Sequence, residues 1–111
     1  MPYKAGSVHE VKANLFRVLG HPARVRILEL LRDGERSVGA LQAELELDSG
    51  GTSQHLAALR RIGLVASRRD GNSVYYRVDD DAVFDLLAAA RAILSRRLAT
   101  EQSILHELES E

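Results

Sequence analysis

The chain has 111 residues, of which 45% are hydrophobic and 28% are charged, and its net charge is −1. This length suits one compact domain, and disordered chains are poorer in hydrophobic residues. The sequence contains no cysteine, which excludes disulfides, zinc fingers, iron–sulfur clusters and thiolate redox sensors. No apolar run approaches the roughly 20 residues of a membrane span, and no signal-peptide core follows residues 1–7. We therefore expect a single cytoplasmic domain over residues 1–111.

Charge is distributed unevenly along the chain. Residues 49–78 contain five arginines and one aspartate, whereas residues 79–111 contain eight acidic residues and three arginines. Contact with phosphate depends on the local field rather than on the total charge, so a net charge near zero does not exclude nucleic-acid binding. The basic middle segment is the candidate for such contact.

The first third of the chain predicts two helices. Ser7 and Glu10 have the spacing of a capping box, and apolar residues at helical spacing after them predict a helix over about 8–19. Pro22 then occupies a first helical turn, where proline is tolerated. It begins a second, mostly buried helix that stops near Gly34.

Two short helices follow. Ser37 is a predicted N-cap for a helix through Leu45, and Asp48 is a predicted N-cap for a helix that ends at Gly63. The loop between them is only about three residues long. Two helices joined so tightly are typical of a helix-turn-helix, here over about residues 37–62.

The pattern changes to short β-branched and aromatic segments over residues 64–69 and 73–78. Asp70-Gly71-Asn72 separates them and is a hairpin-turn sequence, so we expect a two-stranded wing over about 64–78. Because side chains alternate along a strand, neighbouring tyrosines at 75 and 76 point to opposite faces. We expect one of the two in the core.

The acidic residues 79–81 precede the last predicted helix, which runs over about 80–108. At ~1.5 Å per residue it would be roughly 40 Å long. An apolar stripe of that length needs a second chain to cover it. The predicted fold is therefore mainly α with a small β-hairpin, a winged helix-turn-helix of order ααααββα that dimerises through its first and last helices. The predicted interface residues are Val11, Leu15, Val83, Leu87, Leu94, Leu98 and Leu105.

Candidate DNA contacts lie on the fourth helix and in the wing. Leu56, Leu59 and Ile62 are expected on the inner face of the fourth helix. Its outward side chains, among them Ala57 and Ala58, are small or hydrogen-bonding, so the helix can approach a major groove closely, and Gln54 can pair with an adenine edge. Backbone N–H groups at the helix start, exposed by Gly50 and Gly51, can bind phosphate. The predicted contacts are Ser49, Gly51, Thr52, Ser53, Gln54, His55 and Arg60 on the helix, with Arg68, Arg69 and Asn72 in the wing.

Two assignments stay open. His55 either packs partly inward or contacts a phosphate. Arg68 and Arg69 point to opposite faces of the ribbon, so one of them can reach DNA while the other binds its own domain.

Three segments, in order, resemble the ArsR/SmtB family of bacterial repressors. They are residues 19–28 (LGHPARVRIL), residues 52–65 (TSQHLAALRRIGLV) and the wing strand at 71–78 (GNSVYYRV). The resemblance covers roughly residues 8–100. It implies a homodimer built on the first and last helices that binds an imperfect palindrome over a promoter.

Many members of that family release DNA when a metal ion binds, but the ligands of those sites are missing here. Where the family has cysteines in the third helix, this chain has residues 37–41, without a ligand. At the positions matching the second family site only Asp80 can bind metal. We expect no metal and no cofactor. An unusual site from His9 and Glu10 with His106 and Glu109 is the alternative.

The sequence thus predicts a sequence-specific DNA-binding transcriptional regulator, a homodimeric repressor of a palindromic operator. The alternative is a winged-helix module that binds proteins instead of DNA, which the salt dependence of DNA affinity would distinguish. No nucleophile–base pair or phosphate loop supports an enzyme. The sequence names neither the operator nor an effector.

Overall fold

The computed structural model describes residues 6–110. Within this range five helices and three short strands form a winged helix-turn-helix, which confirms the predicted fold class. No helix of this range is both long and apolar enough to cross a membrane. The elements are α1 (Val8–Leu19), α2 (Pro22–Leu30), a 3₁₀ turn (Leu31–Asp33), β1 (Arg36–Ser37), α3 (Val38–Leu45), α4 (Ser49–Arg61), β2 (Ala66–Asp70), β3 (Ser73–Arg77) and α5 (Ala82–Ser110).

The contacts divide the protein into two compact units. One ends at Asp80 and holds α1–α4 and the sheet, and the other consists of α5. α5 has 29 residues, and a rise of about 1.5 Å per residue makes it roughly 43 Å long. It begins two residues later than predicted because the Asp81 carbonyl accepts the first helical bonds, from the N–H groups of Phe84 at 3.0 Å and Asp85 at 3.1 Å.

Three helices begin at side-chain caps that the sequence predicts. The hydroxyls of Ser7 and Ser37 each accept a hydrogen bond from the N–H three residues later, at 3.2 and 3.1 Å. Asp48 Oδ1 accepts from the Gly51 N–H at 2.6 Å and starts α4. Each cap satisfies an N–H that has no partner within the helix. All three confirm caps predicted from the sequence, and residues 46–48 form the predicted three-residue loop.

The core lies where α2, α3 and α4 meet. The inner face of α4 is the predicted one, with Leu56 and Leu59 at 0% exposure. Ala58 was predicted to face outward but is 9% exposed, because α4 packs against both α2 and α3 and its buried face is wide. The fully buried side chains include Ile27, Leu28, Leu41, Thr52, Leu56 and Leu59.

The sheet has the strand order β1-β3-β2, and both pairs are antiparallel. The predicted hairpin is present, with β2 and β3 paired from Ala66↔Arg77 to Asp70↔Ser73. Gly71 is the first residue of its two-residue turn and has φ +62°. This is the position at which a type II′ hairpin turn requires positive φ and therefore favours glycine.

Strand β1 was not predicted, so the sheet has three strands rather than the two expected. It pairs Arg36 with Tyr76 and Ser37 with Tyr75. Two residues are too few to show the alternation that identifies a strand in a sequence. Tyr76 is 9% exposed and belongs to the core, which confirms that one of the two tyrosines is buried.

The Asp48 cap leads to a prediction about stability. We expect Asp48→Ala to lower the free energy of unfolding by about 1 kcal/mol, because the Gly51 N–H loses its acceptor. Asp48→Asn keeps an acceptor oxygen and should lose much less. Urea unfolding followed by circular dichroism measures both. Equal losses in the two variants would contradict the cap.

Candidate nucleic-acid interface

One face of α4 is exposed and carries small or hydrogen-bonding side chains over its first turns. Leu56 and Leu59 hold the opposite face in the core. The exposed side is therefore determined by packing rather than by polarity alone. It presents Ser49, Gly50, Ser53, Gln54 and Ala57, followed by Arg60 and Arg61 at the end of the helix.

Two groups predicted to contact DNA at the start of α4 are engaged in hydrogen bonds within the protein. The Gly51 N–H is not free for phosphate, because it donates to the Asp48 carboxylate at 2.6 Å. A Cβ on Gly51 would lie 3.0 Å from Asp48 Oδ1, so the missing side chain leaves room for this cap. Thr52 is 0% exposed, and its hydroxyl donates to the Asp48 carbonyl at 3.0 Å. Thr52 therefore anchors the first turn from inside and does not reach the surface.

His55 is half-buried at the contact of α4 with the start of α2. Its Nδ1 accepts a hydrogen bond from Arg24 Nε at 3.2 Å, and its ring centroid lies 4.2 Å from that of His21. Partial burial, followed by the charges of His21 and Arg24, lowers the pKa of His55 below its ordinary 6.5. A neutral ring with protein partners favours packing over phosphate contact, the two interpretations that the sequence left open.

The wing, defined as β2, β3 and their turn (66–77), holds Arg68 against its own domain. Arg68 makes a bidentate ion pair with Glu35, with nitrogen–oxygen distances of 2.6 to 3.0 Å. The guanidinium carbon lies 4.6 Å from the centre of the Tyr75 ring, and Asp70 Oδ2 lies 3.8 Å from Nη1. The bond to Arg68 lowers the pKa of the Glu35 carboxyl. The charge of Arg68 is thus largely compensated within the protein.

Arg69 has the other orientation. It pairs with Val74 in the ladder, so it shares a face with Ser67 and Tyr76 rather than with Arg68. Its side chain is exposed, and within residues 6–110 it has no ion pair or hydrogen-bond partner. Asn72 is exposed at the tip of the wing. Of the two arginines, Arg69 is the one with a charge available to a ligand.

Most of the residues predicted to form a dimer interface are uncovered in the single chain. Leu15 and Leu87 are half-buried. Val83 differs, since it is only 8% exposed and a second chain would add little to its burial. The exposed members are Val11, Leu94, Leu98 and Leu105, at 57 to 59%.

Other exposed apolar residues and two polar contacts were not predicted from the sequence. Phe16, Ile93 and Ile104 are 53 to 60% exposed. Their neighbours in the predicted stripe were a usable signal for them, because an apolar stripe is commonly wider than one row. The Arg24–His55 and Glu35–Arg68 contacts join residues 31 and 33 positions apart. No local pattern connects such positions.

Within the described part of the chain no three His, Asp or Glu side chains are grouped as metal ligands.

Proteins described as bacterial regulators are similar to this chain in sequence and in fold. A family model described as bacterial regulatory protein, arsR family, matches residues 21–67. The uncharacterized HTH-type transcriptional regulator Rv0081 of Mycobacterium tuberculosis is 45% identical over 102 residues, which are 91% of this chain and 90% of that protein. Its crystal structure matches with a TM-score of 0.80 and 46% identity, over 86% of this chain and 96% of that one.

More distant relatives carry functional names. The biofilm growth-associated repressor of Agrobacterium fabrum is 40% identical over 73% of this chain and 69% of its own length. The transcriptional activator HlyU of Vibrio cholerae is 38% identical over 75% and 85%. The homodimeric winged helix-turn-helix DNA-binding domain Mb0332 of Mycobacterium bovis matches with a TM-score of 0.75 and 30% identity, over 86% of this chain and 88% of that one.

These similarities extend over nearly the whole chain and agree with the helix-turn-helix and wing described above. Their shared description is a transcriptional regulator and not an enzyme. The chain belongs to the ArsR family of bacterial regulatory proteins, as a transcriptional regulator with a winged helix-turn-helix DNA-binding domain.

Proposed function

We propose that this protein is a homodimeric repressor that binds a palindromic operator in double-stranded DNA. The observation that carries the proposal is the exposed face of α4, which has small and polar side chains where a recognition helix contacts bases. The free arginine of the wing supports it. Because an operator lies on the bacterial chromosome, the protein would act in the cytoplasm, without a metal or a cofactor.

Base contacts are assigned to the first turns of α4. Gln54 is exposed, and a glutamine amide can bond both N6 and N7 of adenine in the major groove. Ser49 and Ser53 are exposed on the same helix and can bond to bases or phosphates. Ala57 has no side chain to hold the helix away from the groove.

Phosphate contacts are assigned to Arg60, Arg69 and Asn72. Both arginines are exposed and unpaired within residues 6–110, so each can replace a counterion at a phosphate. Arg68 is removed from this set. Its ion pair with Glu35 would have to break before it could bind phosphate.

The dimer rests on apolar side chains that one chain leaves exposed. α5 alone exposes Leu94, Leu98 and Leu105 over more than half of each side chain, and exposed apolar surface of this extent marks an interaction site. The homodimeric state of the related domain Mb0332 supports a second copy as the partner. A two-fold dimer requires a palindromic site, with half-sites about 34 Å apart or a small multiple of that.

Repression is the proposed effect because a dimer bound over a promoter blocks transcription. A relative named as a repressor supports repression rather than activation. Another relative is named as an activator, so the sign depends on where the operator lies relative to the promoter.

Selection of bound sequences from random DNA tests the proposal, with anisotropy titrations of the enriched duplex at two salt concentrations. We expect an imperfect palindrome, bound with nanomolar affinity that falls steeply as salt rises. Gln54→Ala should relax the base preference at one position in each half-site, whereas Gln102→Ala on α5 should not. Weak and uniform binding to all DNA would contradict the proposal and favour a protein-interaction module.

Arg68 and Arg69, two adjacent arginines of the wing, give a matched pair of variants. We expect Arg69→Ala to weaken binding to all sequences alike and to reduce the slope of log affinity against log salt by about 2 per dimer, roughly 0.9 for each lost phosphate contact. Arg68→Ala should change the slope by less than half as much, because Glu35 already compensates its charge. Equal slopes would mean that the Glu35–Arg68 pair opens on DNA.

The α5 stripe is tested by placing a charge in it. We expect Leu94→Glu to shift the protein to monomers in light scattering and to lower operator affinity, because a desolvated carboxylate is costly in an apolar contact. Ala92→Glu adds the same charge on the other side of the helix, about 200° away, and should leave the dimer intact. A stable Leu94→Glu dimer would refute this assignment.

A further inference from the structure

The guanidinium of Arg24 connects three helices beside the exposed face of α4. Arg24 lies on α2 and is half-buried. Its Nη1 donates to the carbonyl of Val18 in α1 at 3.2 Å, and its Nε donates to Nδ1 of His55 in α4 at 3.2 Å. His55 directly follows the exposed Gln54. A contact that holds His55 therefore also helps to hold the adjacent base-contacting position.

The two histidines of this cluster act as hydrogen-bond acceptors. His21 Nδ1 accepts from the Ala23 N–H at 3.1 Å and caps α2, while His55 Nδ1 accepts from Arg24. An imidazole nitrogen accepts only when it carries no proton. The His55 ring is accordingly neutral, with its proton on Nε2, an assignment made from this bonding role.

We infer that Arg24 is a positioning residue for α4, that it acts through His55, and that this joint, the Arg24–His55 hydrogen bond, holds only while His55 is neutral. The inference rests on the proposed DNA binding and assigns a regulation to that same site. Its consequence is that operator affinity decreases as the solution becomes acidic.

The expected direction of the pH dependence follows from the groups that face His55. These are the cation of Arg24 and the ring of His21 from the α2 side, and both disfavour a second positive charge. The pKa of His55 is lowered mainly by burial and then by these two groups. A lowered histidine pKa means that the stabilising contribution is full above the ordinary value of 6.5 and is lost as the pH falls below it.

A direct phosphate contact would give the opposite sign. A histidine that bonds phosphate attracts it more strongly once protonated, so operator affinity would rise in acid. The pH dependence therefore separates a positioning role for His55 from the contact that the sequence analysis left open.

Four variants test the joint on the operator duplex recovered by selection, with anisotropy titrations at pH 8 and pH 6. Arg24→Ala should bind about tenfold more weakly than the parent at pH 8, the order expected when a charged hydrogen bond is lost, and with little further change at pH 6. Arg24→Lys should behave similarly, because an ammonium cannot reproduce the planar fork that spans both acceptors. Arg26→Ala removes an equal charge from the same helix and should bind within about twofold of the parent, as a small surface effect.

His55→Asn is the variant that keeps the joint and removes the titration. The asparagine oxygen lies close to the position of Nδ1 and can accept from Arg24. We expect binding near that of the parent at pH 8 and the loss of most of the decrease at pH 6. Thermal unfolding of every variant at both pH values shows whether the fold is intact.

Nitrogen-15 spectra of the imidazole rings provide a test without DNA. We expect the chemical shift of His55 Nδ1 to be that of an unprotonated nitrogen at pH 8. This shift should change in Arg24→Ala but not in Arg26→Ala. An unchanged Nδ1 signal, higher operator affinity at pH 6, or equal losses in Arg24→Ala and Arg26→Ala would each overturn the inference. If the parent binds no duplex, the proposed function fails, and the imidazole spectra still decide whether Arg24 holds His55.

Discussion

Burial of Leu56 and Leu59 under α2 and α3 is the constraint on which the interface depends. A helix turns by about 100° per residue, so placing these two side chains in the core leaves Ser53, Gln54 and Ala57 outside. The same burial takes Thr52 inward, where its hydroxyl bonds to the Asp48 carbonyl. The exposed face of α4, to which we assign the base contacts, is therefore a consequence of core packing, and its small side chains leave room for a close approach.

Polar contacts between side chains add to the packing of this small core in connecting the helices and the wing. Arg24 ties α1 and α4 to α2, and the Glu35–Arg68 pair ties the wing to the segment before β1. Exposed ion pairs add little to stability, so their main effect here is on geometry and on available charge. Two adjacent arginines of the wing thereby become unequal, since Arg68 is engaged and Arg69 is free.

Local signals in the sequence were sufficient for most of the fold. Caps at Ser7, Ser37 and Asp48 follow from residue type and spacing, and each is made by atoms within three residues. The hairpin follows from alternation and from the glycine at 71. Strand β1 could not be predicted, because its two residues are identified only by their pairing with residues 75 and 76, far along the chain.

In the candidate site too, some features follow from local sequence and others only from tertiary contacts. The sequence by itself determined the winged helix-turn-helix, the family, the bounds of the candidate recognition helix and the apolar stripe of α5, because periodicity, capping and turn chemistry act over a few residues. Tertiary structure decided that Thr52 and the Gly51 N–H are unavailable, that Arg68 rather than Arg69 is bound by the domain, and that His55 packs against Arg24. Those outcomes depend on contacts between side chains that are distant in the sequence. Such contacts exist only once the core has formed, so residue type and local spacing do not specify them.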